Sequence, residues 1–190
     1  MNTFNMTESI IHLRALKKDA QVTQKKGLPF IMASVVIWSL IMIIQFMDKS
    51  TVTKNLYTFM SSSLLMPLAF AFSKVLKADI FKRTDNPINK LGFLCTMNQM
   101  LYLIIVMWAF SKSPDAMVML YAMVFGAHLL PFGWVYDSLA YKVVSVIETI
   151  GALLIACIFG TVAAVALMII MEIVLCIFLF AENRKVKELG

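Results

Sequence analysis

Six side chains able to exchange a proton or hydrogen-bond strongly stand inside long apolar runs: Gln45, Asn98, Gln99, His128, Glu148 and Glu172. Amide and ionisable groups in a lipid-spanning helix are costly, usually face a bundle interior or a hydrated path, and are functional candidates by default. Counting along the helix axis puts Asn98 and Gln99 about 11 Å, His128 about 12 Å, Glu172 about 13 Å and Glu148 about 10 Å from the same side of the membrane. Gln45 sits at the opposite surface, within reach of water. Five polar residues on four helices therefore share one layer. His128 is the cationic candidate in that layer, and a His128–Glu172 pair there could carry a proton near neutral pH. Glu148 then stands near the entrance, with Asn98 and Gln99 as polar lining.

Neighbouring residues fit a cavity at this depth. Tyr141, Ser145 and Gly151 share the helical face of Glu148, Tyr121 that of His128, and Tyr102 that of Asn98. Pro131, Gly133 and Pro67 lie at similar depth, where they free backbone carbonyls to line a cavity or bond a neighbouring helix. The competing reading is structural, because polar side chains also act as glue between membrane helices, at about 0.6–2 kcal/mol each. Glu148 can also point towards the headgroups. No GxSxG, HExxH, Walker loop or GxGxxG is present, so no enzymatic reaction, metal or cofactor is expected. Cys95, Cys157 and Cys176 lie in apolar runs without CxxC spacing and read as small buried hydrophobes.

The elements that must position these groups follow from composition. Of 190 residues, 61% are hydrophobic and 15% charged, and the mean hydropathy is +0.83. That balance excludes a soluble enzyme, a disordered chain and a nucleic-acid-binding module. The formal charge of +6 is spread between apolar runs, so the nearest anion is the lipid headgroup and no nucleic-acid partner is expected. Six apolar runs, near 28–47, 56–73, 91–110, 116–136, 141–159 and 161–181, are each long enough to cross about 30 Å of hydrocarbon. The last two are parted only by Gly160-Thr161, and a continuous helix there would reach about 60 Å, so a hairpin at Gly160 is required. Gly160 and Ala164 could mark close helix packing.

The expected architecture is all-α: an arm over 1–27, a six-helix transmembrane bundle over 28–181 and a tail over 182–190. No cleavable signal peptide is recognised in the arm. Asn5 and Glu8 have helix-capping spacing, and Ile10, Leu13 and Leu16 share one face beside Arg14, Lys17 and Lys18. The arm reads as an amphipathic helix on the membrane surface, ended by Gly27 before Leu28-Pro29.

Orientation follows from charge. The arm, the 74–90 loop, Lys142 and the tail hold fourteen Lys and Arg; Lys49, Lys54 and Lys112 are the three on the other side. The positive-inside rule then places both termini in the cytoplasm. Tyr57 and Trp108 are expected at the outer interface, Trp134 and Tyr136 at the inner one.

The segment His128-Leu-Leu-Pro131-Phe132-Gly-Trp134-Val-Tyr136-Asp-Ser138-Leu-Ala-Tyr141 resembles a motif of the DUF7010-like family, small bacterial multi-pass proteins of unknown function. The resemblance implies a bacterial plasma membrane and no known reaction. Three readings result. The first is a small transporter or permease, proton-linked and oligomeric, with a polar cavity opening to the cytoplasm. The second is a non-catalytic scaffold or accessory subunit whose polar layer locks the helices. The third is an intramembrane enzyme, for which no nucleophile or metal constellation is visible.

Overall fold

A computed structural model describes the backbone of residues 3–80 and 85–188, and the side chains of 6–80 and 85–186. Lys82 and Arg83, and the side chains of Asn5 and Lys187, lie outside the described residues. Within them every regular element is helical, and six helical stretches are long and apolar enough to cross a membrane: Met6–Gln45, Thr51–Leu76, Pro87–Lys112, Pro114–Val135, Leu139–Phe159 and Thr161–Val186.

The first stretch is two helices. α1 (Thr3–Gln24) begins ahead of Asn5, so Asn5 is not its cap, and a helical turn over Lys25–Gly27 leads into α2 (Leu28–Gln45). Gly27, at φ 72°, is the N-cap of α2, a left-handed conformation that glycine adopts without steric cost. Proline breaks the second and fourth spans. α3 (Thr51–Ser62) gives way to α4 (Leu65–Leu76) four residues ahead of Pro67, which has no N–H for the Ser63 carbonyl. α6 (Met117–His128) likewise gives way to α7 (Leu130–Val135) at Leu129, where Pro131 has none for Ala127. Between them runs α5 (Pro87–Lys112). The last two spans are α8 (Leu139–Phe159) and α9 (Thr161–Glu188), joined at Gly160 with φ 85°.

α2 is the most enclosed of the spans and packs on α4 and α9, while α6 packs on α8, α8 on α9, and α5 on α6 and α7. The Trp38 ring of α2 lies 5.3 Å from that of Tyr121 and 5.6 Å from that of Phe125. The close approach within the α8–α9 hairpin is not at Gly160, where an added Cβ would meet nothing within 4 Å. It is at Gly151, where a Cβ would come 2.7 Å from Leu167 Cδ2.

α1 docks on one end of the bundle. Asn86 Nδ2 donates to the Leu16 carbonyl (2.8 Å) and to Asp19 (2.7 Å). Lys17 pairs with Asp137 at 2.7 Å and Lys26 with Glu182 at 2.8 Å. Asn183 donates to the Lys25 carbonyl at 3.0 Å. The arm, the residues before α5, the α7–α8 turn and the end of α9 thus gather at this end. At the other, Asn55 donates to the Pro114 carbonyl and Lys54 to that of Gln45. The face of α1 read as membrane-binding is split: Leu16 packs against the core, whereas Ile10 and Leu13 are exposed. Tyr136 is not an interfacial belt residue either, being 3% exposed with its hydroxyl donating to Gln24 Oε1 at 2.7 Å.

Candidate functional site

Two neighbouring features involve residues of the expected polar layer. The first is a cavity of about 130 Å³. α5 supplies one wall through Asn89, Gly92, Phe93, Thr96 and Gln99. Four of these stand at steps of three, four and three residues, so they share a helix face. The N-terminus of α5 fixes that face: Asn86 caps it, its Oδ1 accepting from Ile88 N at 2.9 Å, with Pro87 in the first turn. α2 contributes Phe30 and Ile31, α4 Leu65 and Met66, and α6 and α7 contribute Phe125, His128, Leu129 and Phe132. Gln24, Gly27, Ile80, Tyr136 and Tyr141 stand at the end where α1 docks. Gly27 is needed there, since a Cβ on it would stand 3.0 Å from the Tyr141 hydroxyl, which donates to the Lys26 carbonyl at 2.8 Å.

Several polar groups of the lining are occupied, those of Gln24, Thr96, Tyr136 and Tyr141 among them. His128 Nδ1 donates to the Phe125 carbonyl, and because a carbonyl only accepts, Nε2 is the lone-pair nitrogen of the neutral ring. The imidazole sits edge-on between the Phe125 and Phe132 rings, at 4.9 and 6.0 Å. Asn89, by contrast, is 6% exposed and its Oδ1 is buried without a hydrogen-bond partner.

The second feature is a carboxyl pair. Glu148 of α8 and Glu172 of α9 are both fully buried and interact with each other. The Ser34 hydroxyl of α2 reaches Glu172 Oε2 and also the Ile31 carbonyl, the latter at 2.7 Å. Beyond the Ser34 contact the pair meets no donor: both Glu148 oxygens and Glu172 Oε1 are buried without a hydrogen-bond partner. No cation faces it among the described ion pairs. Gly126 of α6 makes room for it, because a Cβ there would come 2.7 Å from the Glu148 Cβ. Ser34 and Ile31 connect the two features, Ile31 lining the cavity while its carbonyl faces Ser34.

The expected polar layer is therefore brought together only in part. Gln99, His128 and Tyr141 line the cavity. Ser145 is buried on the Glu148 face of α8. The expected His128–Glu172 pair is replaced by Glu148–Glu172 with Ser34, since His128 is engaged by Phe125. Asn98 and Tyr102 do not join the interior: they are exposed on the far side of α5 and bond each other at 2.9 Å. Tyr121 accepts from Ser62 at 2.9 Å beside Trp38, away from the lining. Pro67 and Pro131 are exposed at the two helix breaks. Among the described lining residues the exposed ones are Met66 and Phe93, on the flank of the cavity, while Ile80, at the end where α1 docks, is half-buried. Asn89 and Ser34 were missed. The polar and small residues at 89, 92, 96 and 99 form a helical stripe that could have revealed the first, whereas a single serine in an apolar run gives no such signal.

Among the described residues, no group of three or more His, Cys, Asp or Glu gathers as a metal site would. Comparison with curated proteins and with solved structures gave no match. The profile of a family of unknown function, DUF7010, matches residues 13–182. The match takes in every residue that lines the cavity and both glutamates of the pair, and the chain belongs to this family.

Proposed function

We propose that the protein is a small multi-pass transporter of a bacterial plasma membrane, with both termini cytoplasmic, that couples passage of a solute through the cavity to a proton held by Glu148 and Glu172. The observation that carries this reading is the carboxyl pair itself, fully buried, without a cation among the described ion pairs, and linked to the cavity wall through Ser34 and Ile31. Two carboxyls so placed are the arrangement that holds a proton or a cation between them. The proton count at Ser34 supports it. One hydroxyl proton serves one acceptor fully, and Ser34 has two within reach; a proton on Glu172 completes a chain from Glu172 to Ser34 to the Ile31 carbonyl.

Proton uptake into proteoliposomes under an imposed potential tests the reading. Gln keeps the shape and hydrogen-bonding capacity of Glu but exchanges no proton at this pH. Glu172→Gln and Glu148→Gln should each abolish uptake while inserting and folding normally. A scaffold reading is favoured by one observation, the Ser34–Glu172 bond that ties α2 to α9. On that reading the Gln variants would lower thermal stability, and any activity would fall only with the folded fraction.

A further inference from the structure

The most exposed part of the described lining is apolar. Gln24, Asn89, Tyr136 and Tyr141 at the end where α1 docks are buried and Ile80 there is half-buried, whereas Met66 and Phe93 at the flank mouth are 46% and 64% exposed. The mouth lies between α4 and α5. α4 packs on α2, and α5 on α6 and α7, but the two make little contact with each other. Both belong to stretches apolar and long enough to span a membrane, so in a bilayer the gap between them would face acyl chains rather than water.

The lining has no Lys, Arg, Asp or Glu among its described residues, so an ionic headgroup would enter without a counter-charge, at high cost. Asn89 Oδ1 is a buried acceptor with no donor, and such a group is worth satisfying with a neutral O–H or N–H. A volume of about 130 Å³ is well below that of pockets enclosing a whole drug-sized ligand. It suits the polar end of a molecule whose apolar body stays in the gap, against Met66, Phe93 and Phe30.

We infer that the cavity is a lateral binding site for a membrane-dissolved amphiphile with an uncharged, hydroxyl-bearing polar end, which enters between α4 and α5 and donates to Asn89. The inference rests on the cavity half of the proposed function and adds the ligand's class and its route.

The test is photocrosslinking of the full chain in phosphatidylcholine vesicles, with a diazirine-bearing monoacylglycerol as probe and a diazirine-bearing phosphatidylcholine as the bulk-lipid reference. The monoacylglycerol should label Met66, Phe93 and Thr96 preferentially, and excess unlabelled monoacylglycerol should compete that labelling away. The phosphatidylcholine should spread over outward residues such as Leu101 and Ile104. Asn89→Leu should weaken cavity labelling about five-fold, the worth of one neutral hydrogen bond, and Thr96→Trp should remove it by filling the mouth. Labelling by the two probes with one pattern, or without competition, overturns the inference, and neither readout needs a variant to fold. Cavity labelling by a water-soluble diazirine alcohol, with none from the monoacylglycerol, overturns the lateral route. Proton uptake measured in the same vesicles, with and without the monoacylglycerol, separates the two proposals: uptake with uniform labelling sinks this one alone, and competed cavity labelling with no uptake in either condition sinks proton coupling to this ligand alone.

Discussion

Gly126 lies so close to Glu148 that a Cβ added to it would stand 2.7 Å from the Glu148 Cβ and 2.9 Å from the backbone nitrogen of Thr149. α6 and α8 can meet at this distance only because position 126 has no side chain, and the buried carboxyl is placed by that contact. Gly126→Ala should therefore push the helices apart and destabilise the protein by about 1–3 kcal/mol. Gly92→Ala is the control, since its Cβ would meet Val135 and Phe132 at ordinary distances of 3.9 and 4.0 Å. That change should be neutral or slightly stabilising, as Ala is the better helix former by up to about 1 kcal/mol. Thermal unfolding in detergent compares the two.

The hairpin between α8 and α9 gives a second pair. Gly160 has φ 85° and ψ 176°, a region essentially reserved for glycine, where a side chain costs about 1–3 kcal/mol in strain. Gly160→Ala should lower the midpoint of thermal unfolding although an added Cβ would have open space. Gly151→Ala should cost less, because its new Cβ meets only the tip of the flexible Leu167 side chain.

The two ion pairs at the docked end should respond differently to loss of their acids. Lys26 is 5% exposed, so Glu182→Ala leaves a buried ammonium unpaired and should destabilise clearly, by about 1–3 kcal/mol. The Asp137 side chain is 54% exposed, and Asp137→Asn should cost less than about 1 kcal/mol. Asn also tolerates the left-handed φ of 47° at that position. Only the Lys17–Asp137 pair should weaken markedly when salt is raised.

For orientation, reporter fusions at Lys112 and at the C-terminus should report opposite sides of the membrane, the C-terminal one cytoplasmic. The same side for both would contradict six spans.

Depth was readable from the sequence and direction was not. Runs of about twenty apolar residues mark spans by length alone, and 1.5 Å per residue then gives each polar group its level. The Gly27 boundary and the Gly160 hairpin were legible for a similar reason, because each is the punctuation between two runs. A helix that is apolar all round, however, has no polar face to show which side turns inward. Asn98 and Gln99 illustrate the consequence. They are adjacent in sequence and equal in depth, yet about 100° apart around α5, so Gln99 enters the cavity and Asn98 lies outside. The same ambiguity paired Glu172 with His128 rather than with Glu148. Ser34, Asn89 and the gap between α4 and α5 depend on how helices distant in sequence pack, which no local pattern encodes.

The central claim is that Glu148 and Glu172 hold an exchangeable proton that the protein moves. A lipid-soluble carbodiimide reacts with a carboxyl while it carries a proton, and converts it to a stable adduct that mass spectrometry locates. The most direct measurement follows adduct formation and proton uptake together, in proteoliposomes made with bacterial lipid extract. Labelling at Glu148 or Glu172 is predicted to rise in step with the loss of proton uptake, and Glu172→Gln with Glu148→Gln in one chain should abolish both in folded protein. Uptake that persists once the pair is fully labelled, or that survives in the double variant, would contradict the account.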